Sequence, residues 1–112
     1  MIVRGELYTA DLDPVIGSEQ GGMRPVLVVQ NDVGNRFSPT VVVLALTSQI
    51  EKARLPTHVL VNGSGLARPS VVLAEQMRTL DKRRLRERIG MLPQDVMDKV
   101  NEAIRVSLAV EG

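Results

Sequence analysis

The chain has no cysteine, no tryptophan, one histidine (His58), one tyrosine (Tyr8) and one phenylalanine (Phe37) in 112 residues. Without cysteine there is no disulfide framework, no thiolate zinc or iron–sulfur site and no thiol nucleophile, and the composition suits a reducing compartment. A single histidine excludes a two-histidine acid–base pair and a multi-histidine metal site within one chain. The shortage of aromatic rings disfavours base-stacking platforms of the RRM or single-strand-binding OB type, which need several. No apolar run approaches the ~18–20 residues of a membrane-spanning helix. The opening Met1-Ile2-Val3-Arg4-Gly5-Glu6 has no apolar region of the signal-peptide kind.

What is present is ordinary for a globular chain. Hydrophobic residues make up 44% and charged residues 24%, which argues against wholesale disorder. A chain of this length buries about two-thirds of the surface its unfolded form exposes, so residues 1–112 read as one domain. The net charge is +1, unevenly placed. Residues 1–75 carry six basic and seven acidic side chains, residues 76–112 eight basic and six acidic. The excess lies in Arg78, Lys82, Arg83, Arg84, Arg86 and Arg88, a basic patch suited to a polyanion or an acidic protein, or merely a solvated face.

Short β-branched runs dominate. Residues 3–11 read as a strand and residues 13–24 as a long loop whose Gly21-Gly22 permits positive φ. Residues 25–30 and 40–47 read as buried strands, with a loop over 31–39. Further strands are expected at 58–61, at 70–75 with 76–79 as an extension, and at 88–92, with a turn at 62–65. Only the C-terminus reads as a helix. Pro93 and Asp95 suit a first turn, and Val96, Val100, Ala103/Ile104 and Leu108 make an apolar stripe. The fold class is therefore mainly β, a small curved antiparallel sheet or β-barrel with a C-terminal α-helix.

Three places carry chemistry. Arg24 stands where the flexible loop meets Pro25 and a strand, a position that offers a fixed guanidinium fork to a phosphate; it reads equally as a partner for a surface carboxylate. Thr47 ends a strand, where a reactive hydroxyl or a turn threonine bonded to its own backbone belongs. Glu75-Gln76-Met77-Arg78-Thr79 closes an apolar strand with polar groups or forms a solvated edge. His58 reads as a partly buried structural histidine. No Walker loop, dinucleotide fingerprint, His-Glu metal motif or nucleophile elbow is present.

Four blocks in order carry more than their members. Gly-Ser-Glu-Gln-Gly-Gly-Met-Arg-Pro-Val-Leu-Val-Val-Gln-Asn-Asp (17–32), Val-Val-Val-Leu-Ala-Leu-Thr-Ser-Gln (41–49), Leu-Pro-Thr-His-Val (55–59) and Ser-Val-Val-Leu-Ala-Glu-Gln-Met-Arg-Thr-Leu-Asp-Lys-Arg-Arg-Leu (70–85) resemble the MazF/PemK toxins, the mRNA interferase halves of bacterial type II toxin–antitoxin modules. The resemblance covers essentially the whole chain. It implies an SH3-like barrel of the MazF/CcdB type, a cytoplasmic homodimer, and growth inhibition by cleavage of single-stranded RNA, chiefly messenger RNA. It also implies a metal-independent and cofactor-free reaction. Attack of the ribose 2′-hydroxyl would leave a 2′,3′-cyclic phosphate and a 5′-hydroxyl.

By the same resemblance Arg24 and Thr47 take the catalytic positions, and Ser18, Glu19, Gln20, Gln76 and Arg78 those of RNA contact. Glu19 is a candidate for proton transfer or RNA positioning, and Glu75 matches an acidic position implicated in other members. Some members carry a histidine where this chain has Ser18, so a role resting on that histidine does not carry over. The implied partner is an acidic MazE-like antitoxin laid along the RNA groove, with the 78–88 basic run a candidate contact. The competing expectation is a CcdB-like toxin of the same fold that poisons DNA gyrase by contact and cuts nothing.

Overall fold

The computed structural model describes residues 1–52 and 55–111. Six strands, β1 (Glu6–Asp11), β2 (Met23–Val28), β3 (Thr40–Thr47), β4 (His58–Val61), β5 (Ser70–Asp81) and β6 (Leu85–Met91), form one antiparallel sheet in the order β4-β5-β3-β2-β1-β6. Two helices, α1 (Asp32–Phe37) and α2 (Gln94–Leu108), complete it. The class is mainly β with a C-terminal helix, as the sequence implies.

Val26–Val28 of β2 and Val41–Leu46 of β3 read as unbroken apolar runs because both faces of the sheet are covered there. Leu27, Leu44 and Leu46 join Leu7, Val59, Val72, Met97 and Val100 in one core, closed by α2. Val26, Val28, Val41, Val43 and Ala45 join Ala10, Leu12 and Leu80 in a second, flanked by Ile2, Tyr8 and Leu85. The ladder is open, with β4 and β6 at its edges. Its ends nevertheless meet through the turn after β4, which lies backbone to backbone on β6. An ideal Cβ on Gly65 would stand 2.2 Å from the Ile89 carbonyl oxygen, and one on Gly90 would stand 2.0 Å from that of Ser64.

The sequence reading misses α1. The 31–39 segment holds a six-residue helix, too short to show an apolar period, capped by the Asn31 side chain accepting the Gly34 N–H at 2.8 Å. β5 reaches Asp81 and β6 starts at Leu85, earlier than the residue-88 start expected. In α2 the buried residues are Met97, Val100 and Ala103. Leu108, expected in that stripe, is exposed, because the last turn overhangs the sheet and lines a groove with Val42 and Met77. No helix among the described residues is long and apolar enough to cross a membrane.

One buried charge ties the N-terminal strand to the basic run. The Glu6 carboxylate accepts the Val3 N–H at 2.6 Å and the Tyr8 hydroxyl at 3.1 Å, and pairs with Arg88. Burial alone would raise its pKa. The bonds from Arg88, Val3 and Tyr8 outweigh that and hold it below the ordinary 4.5.

Candidate functional site

β2 and β3 pair for only three residues, Val26–Val28 against Val43–Ala45. The reason is local. The Val29 N–H donates to the Val42 carbonyl at 3.1 Å, and alternate residues of a strand turn the same edge. The donor two steps further toward the start of β2 would belong to Leu27, and the next to Pro25, which has no N–H. The ladder stops there, and the strands part. In the register they leave behind, Arg24 stands across the opening from Thr47. Between them lies a cavity of about 240 Å³, lined by Met23, Arg24, Pro25, Leu46, Thr47, Ser48, Leu66, Ala67, Arg68 and Ser70.

Arg24 is the second residue of β2 rather than a loop residue beside it, and it pairs with Ala10 of β1. The following proline restricts its backbone to the extended region. Its Nε donates to the Gly21 carbonyl at 2.6 Å, which fixes the plane of the guanidinium while using one of its five donors. Thr47 is buried, 8% exposed, and its Oγ1 accepts the Gln49 N–H at 3.2 Å. The turn-threonine reading is thus met, and it does not compete with a functional one: accepting that bond does not consume the hydroxyl proton.

A second cavity of about 190 Å³ begins on the other side of Thr47, lined by Gln20, Thr47, Gln49, His58, Val71, Leu73, Glu75 and Gln76. It owes its polar wall to an irregularity in β5. Leu44 pairs with Met77, but the next residue of β3, Ala45, pairs with Leu73. Ala74, Glu75 and Gln76 are the extra residues, and such insertions re-aim side chains. The Glu75 carboxylate accepts the Thr57 hydroxyl at 2.7 Å and meets His58 Nε2 at 2.8 Å. Burial alone would raise the Glu75 pKa. The bonds from Thr57 and His58 prevail and lower it from 4.5, so the group is ionised at neutral pH. His58 is largely buried, as expected of it, but it also walls this cavity.

The other expected site residues divide. Gln20 and Gln76 meet: the Gln20 N–H donates to Gln76 Oε1 at 3.4 Å. Ser18 and Glu19 are exposed and line neither cavity; Glu19 Oε1 accepts the Ile16 N–H at 2.6 Å within its own loop. Arg78 points elsewhere, donating to the Leu12 carbonyl at 2.7 Å and bracing the base of the 13–22 loop together with Arg84, which bonds the Asp11 and Asp13 carbonyls. Most of the basic run is likewise tied into the fold: Lys82 to the Asn35 carbonyl, Arg83 to Asp81, Arg86 to the Arg83 carbonyl, Arg88 to Glu6. Arg68, Ser48 and Gln49 were not singled out from the sequence. Arg68 lies in a turn whose composition signals only a turn, and the contact that brings it to the Arg24 cavity is long-range.

An arginine and a threonine across a gap in a sheet, with Arg68 on the same cavity, suit a phosphodiester, and comparison with known proteins decides the family. Residues 3–108 match the family described as PemK-like, MazF-like toxin of type II toxin–antitoxin system. The chain belongs to this family. It is similar to endoribonuclease EndoA of Bacillus subtilis strain 168, with 58% identity over 112 residues, covering 98% of this chain and 97% of that one. Among solved structures, a mycobacterial endoribonuclease in complex with its cognate antitoxin superposes with a TM-score of 0.85 at 29% identity, covering 100% of this chain and 99% of the other. MazF from Deinococcus radiodurans superposes with a TM-score of 0.84 at 30% identity, covering 97% of both chains. A MazE–MazF complex from the same organism reaches 0.76 at 29% identity, covering 98% of this chain and 97% of that one. In this MazF-like chain, Arg24 and Thr47 line one cavity at the Pro25 opening.

Proposed function

We propose that this chain is the toxin of a type II toxin–antitoxin module. It is an endoribonuclease of the mRNA interferase kind, a single toxin domain over residues 1–112, working in the cytoplasm as a homodimer restrained by an acidic MazE-like antitoxin. The observation that carries the reading is the cavity in which Arg24 and Thr47 face each other. The names of the relatives, endoribonucleases and a MazE–MazF complex, support it over the gyrase-contact alternative.

The substrate is single-stranded RNA, and the scissile phosphate sits between Arg24 and Thr47. The ribose 2′-oxygen forms a bond to phosphorus as its proton leaves, and the bond from phosphorus to the 5′-oxygen breaks as that oxygen takes up a proton. The products are a 2′,3′-cyclic phosphate and a 5′-hydroxyl. Neither the nucleophile nor the leaving group comes from the protein. Its contribution is to meet the charge that builds on the non-bridging oxygens, with the Arg24 guanidinium on one side and the Thr47 hydroxyl on the other. Arg24 is a poor proton acceptor, since it stays protonated at any working pH. Glu19 is the carboxylate of the flexible loop available for proton transfer or RNA positioning. Gln20 and Gln76 extend the RNA contact outward, with Ser18 on the exposed loop and the Arg78 donors not used by the Leu12 carbonyl further along the surface.

The test is cleavage of a long single-stranded RNA in excess EDTA by the wild type and by Arg24→Ala, with the product ends mapped. Cuts at one short sequence, ending in cyclic phosphate and lost in the variant, are expected. Absence of cutting by the folded, antitoxin-free protein across a diverse RNA pool overturns the reading.

A further inference from the structure

The loop that leads into Arg24 is exposed at its tip and held at its base. Three successive carbonyls at its start each meet an arginine. Arg84 donates to those of Asp11 and Asp13, and Arg78 to that of Leu12 at 2.7 Å. The Leu12 side chain is fully buried, so residues 11–13 are pinned by packing and by hydrogen bonds together. The far end of the loop is fastened to this point. The Leu12 N–H donates to the Gly22 carbonyl at 2.9 Å, and the Asp13 carboxylate accepts the Gly22 N–H at 2.9 Å.

That second bond reaches Arg24. The Gly22 N–H belongs to the same peptide unit as the Gly21 carbonyl, which accepts the Arg24 Nε–H at 2.6 Å. In a trans peptide the N–H and the C=O lie in one plane and point opposite ways. One rigid plane therefore carries Asp13 on one edge and Arg24 on the other. A carboxylate on the N–H also polarises the carbonyl across from it and strengthens the bond that carbonyl accepts. The absence of a side chain at Gly21 gives the carboxylate its room, since a Cβ there would stand 2.7 Å from Asp13 Oδ1. Gly22 in turn sits at φ +74°, in the left-handed region.

We propose that Asp13 is a positioning residue for cleavage, setting the plane of the Arg24 guanidinium through the Gly21–Gly22 peptide without touching RNA itself. The inference rests on the ribonuclease reading above and adds a residue to it. A guanidinium turned out of plane keeps its charge and loses the parallel donors that fit two phosphate oxygens. Asp13 therefore acts on the transition state through Arg24 and leaves the binding of RNA to other groups.

The test compares the wild type with Asp13→Ala and Asp13→Asn. The asparagine keeps an oxygen that can accept the Gly22 N–H, and the alanine keeps none. Asp13→Ala is expected to lower kcat by roughly ten- to hundredfold, with KM for RNA unchanged, and Asp13→Asn to recover most of the loss. Both should melt near the wild type, because Asp13 is exposed. Gly21→Ala, which displaces the carboxylate without removing it, should follow Asp13→Ala. An unchanged kcat in Asp13→Ala, or a change confined to KM, overturns the proposal.

A second readout does not depend on cutting. The Arg24 Nε–H resonance of the RNA-free protein, assigned by its loss in Arg24→Lys, should exchange slowly with solvent in the wild type and in Asp13→Asn, and fast in Asp13→Ala. Exchange indifferent to Asp13 overturns the proposal whether or not the protein cuts RNA. Exchange that depends on Asp13, in a folded protein that cuts nothing, supports the link from Asp13 to Arg24 and refutes the nuclease reading beneath it.

Discussion

Thr47 divides two cavities that are prepared in opposite ways. On the Arg24 side the wall is cationic and made by subtraction: β2 and β3 part because Pro25 has no N–H to give, and the freed strand end holds its guanidinium against the Gly21 carbonyl. On the Glu75 side the wall is anionic and made by insertion: three extra residues bulge out of β5, and Thr57 and His58 of the neighbouring segment catch the carboxylate. Between them the sheet is regular and its cores are filled. The groups proposed to act are thus placed where the ladder fails, and the failures are flanked by well-packed strands.

The two sides should respond differently to substitution. The largest effect is expected at Arg24. Arg24→Ala, and equally Arg24→Lys, which keeps the charge but loses the fork and the Gly21 bond, should lower the single-turnover cleavage rate by ~10²–10³ with the melting temperature nearly unchanged. Thr47→Val keeps shape and removes the hydroxyl, and should lower the same rate by about 10-fold to 100-fold, the range of one neutral donor. Pro25→Ala restores the missing N–H. Its expected outcome is a longer β2·β3 ladder, seen as slow exchange of the new amide, and roughly tenfold slower cleavage as Arg24 and Thr47 lose the gap between them. A proline that serves only to rigidify the chain would give no protected amide.

The smallest expected effect is a control away from both cavities. Glu6 has its pKa lowered on folding, so its stabilising contribution is full above the ordinary carboxylate range and is lost as pH falls through the lowered value. Glu6→Gln should therefore be less stable than wild type at pH 7, by about 1–3 kcal/mol. The gap should close in acid, as read from urea unfolding at a series of pH values. Cleavage per folded molecule at pH 7 should not change, which separates this buried pair from the charges beside Thr47.

Much of this was legible in the residues. The apolar runs over 40–47 and 58–61 coincide with β3 and β4, the first because a central strand covered on both faces has few polar positions to blur its limits, the second because Pro56 and the Asn62-Gly63 turn bound it. α2 showed its period over four turns. α1 did not, since six residues containing Gly34 carry no stripe. The site was legible in part through the resemblance, which put Arg24 and Thr47 in correspondence, while local sequence gave no reason for them to meet. That reason is the ladder register ending at Pro25, a property of two strands and invisible in one. The bulge at 74–76 was hidden for the same cause: Ala-Glu-Gln-Met reads as a polar strand end, and only the partner strand shows that three residues are surplus. Ser18, Glu19 and Arg78 were tied to the site by resemblance, and the fold holds them outside both cavities in this arrangement.

The contact between the turn after β4 and β6 has a mechanical consequence. Gly65 and Gly90 let two backbones touch at the far seam of the sheet, and the same turn runs on into Leu66, Ala67 and Arg68, which form part of the wall of the Arg24 cavity. The width of the Arg24 cavity is therefore set by a clasp made through backbone atoms. Adding one methyl group at Gly90 would force the clasp apart and swing that wall outward. A toxin of this build can be blunted, or tuned to a bulkier stretch of RNA, by residues that never approach a phosphate.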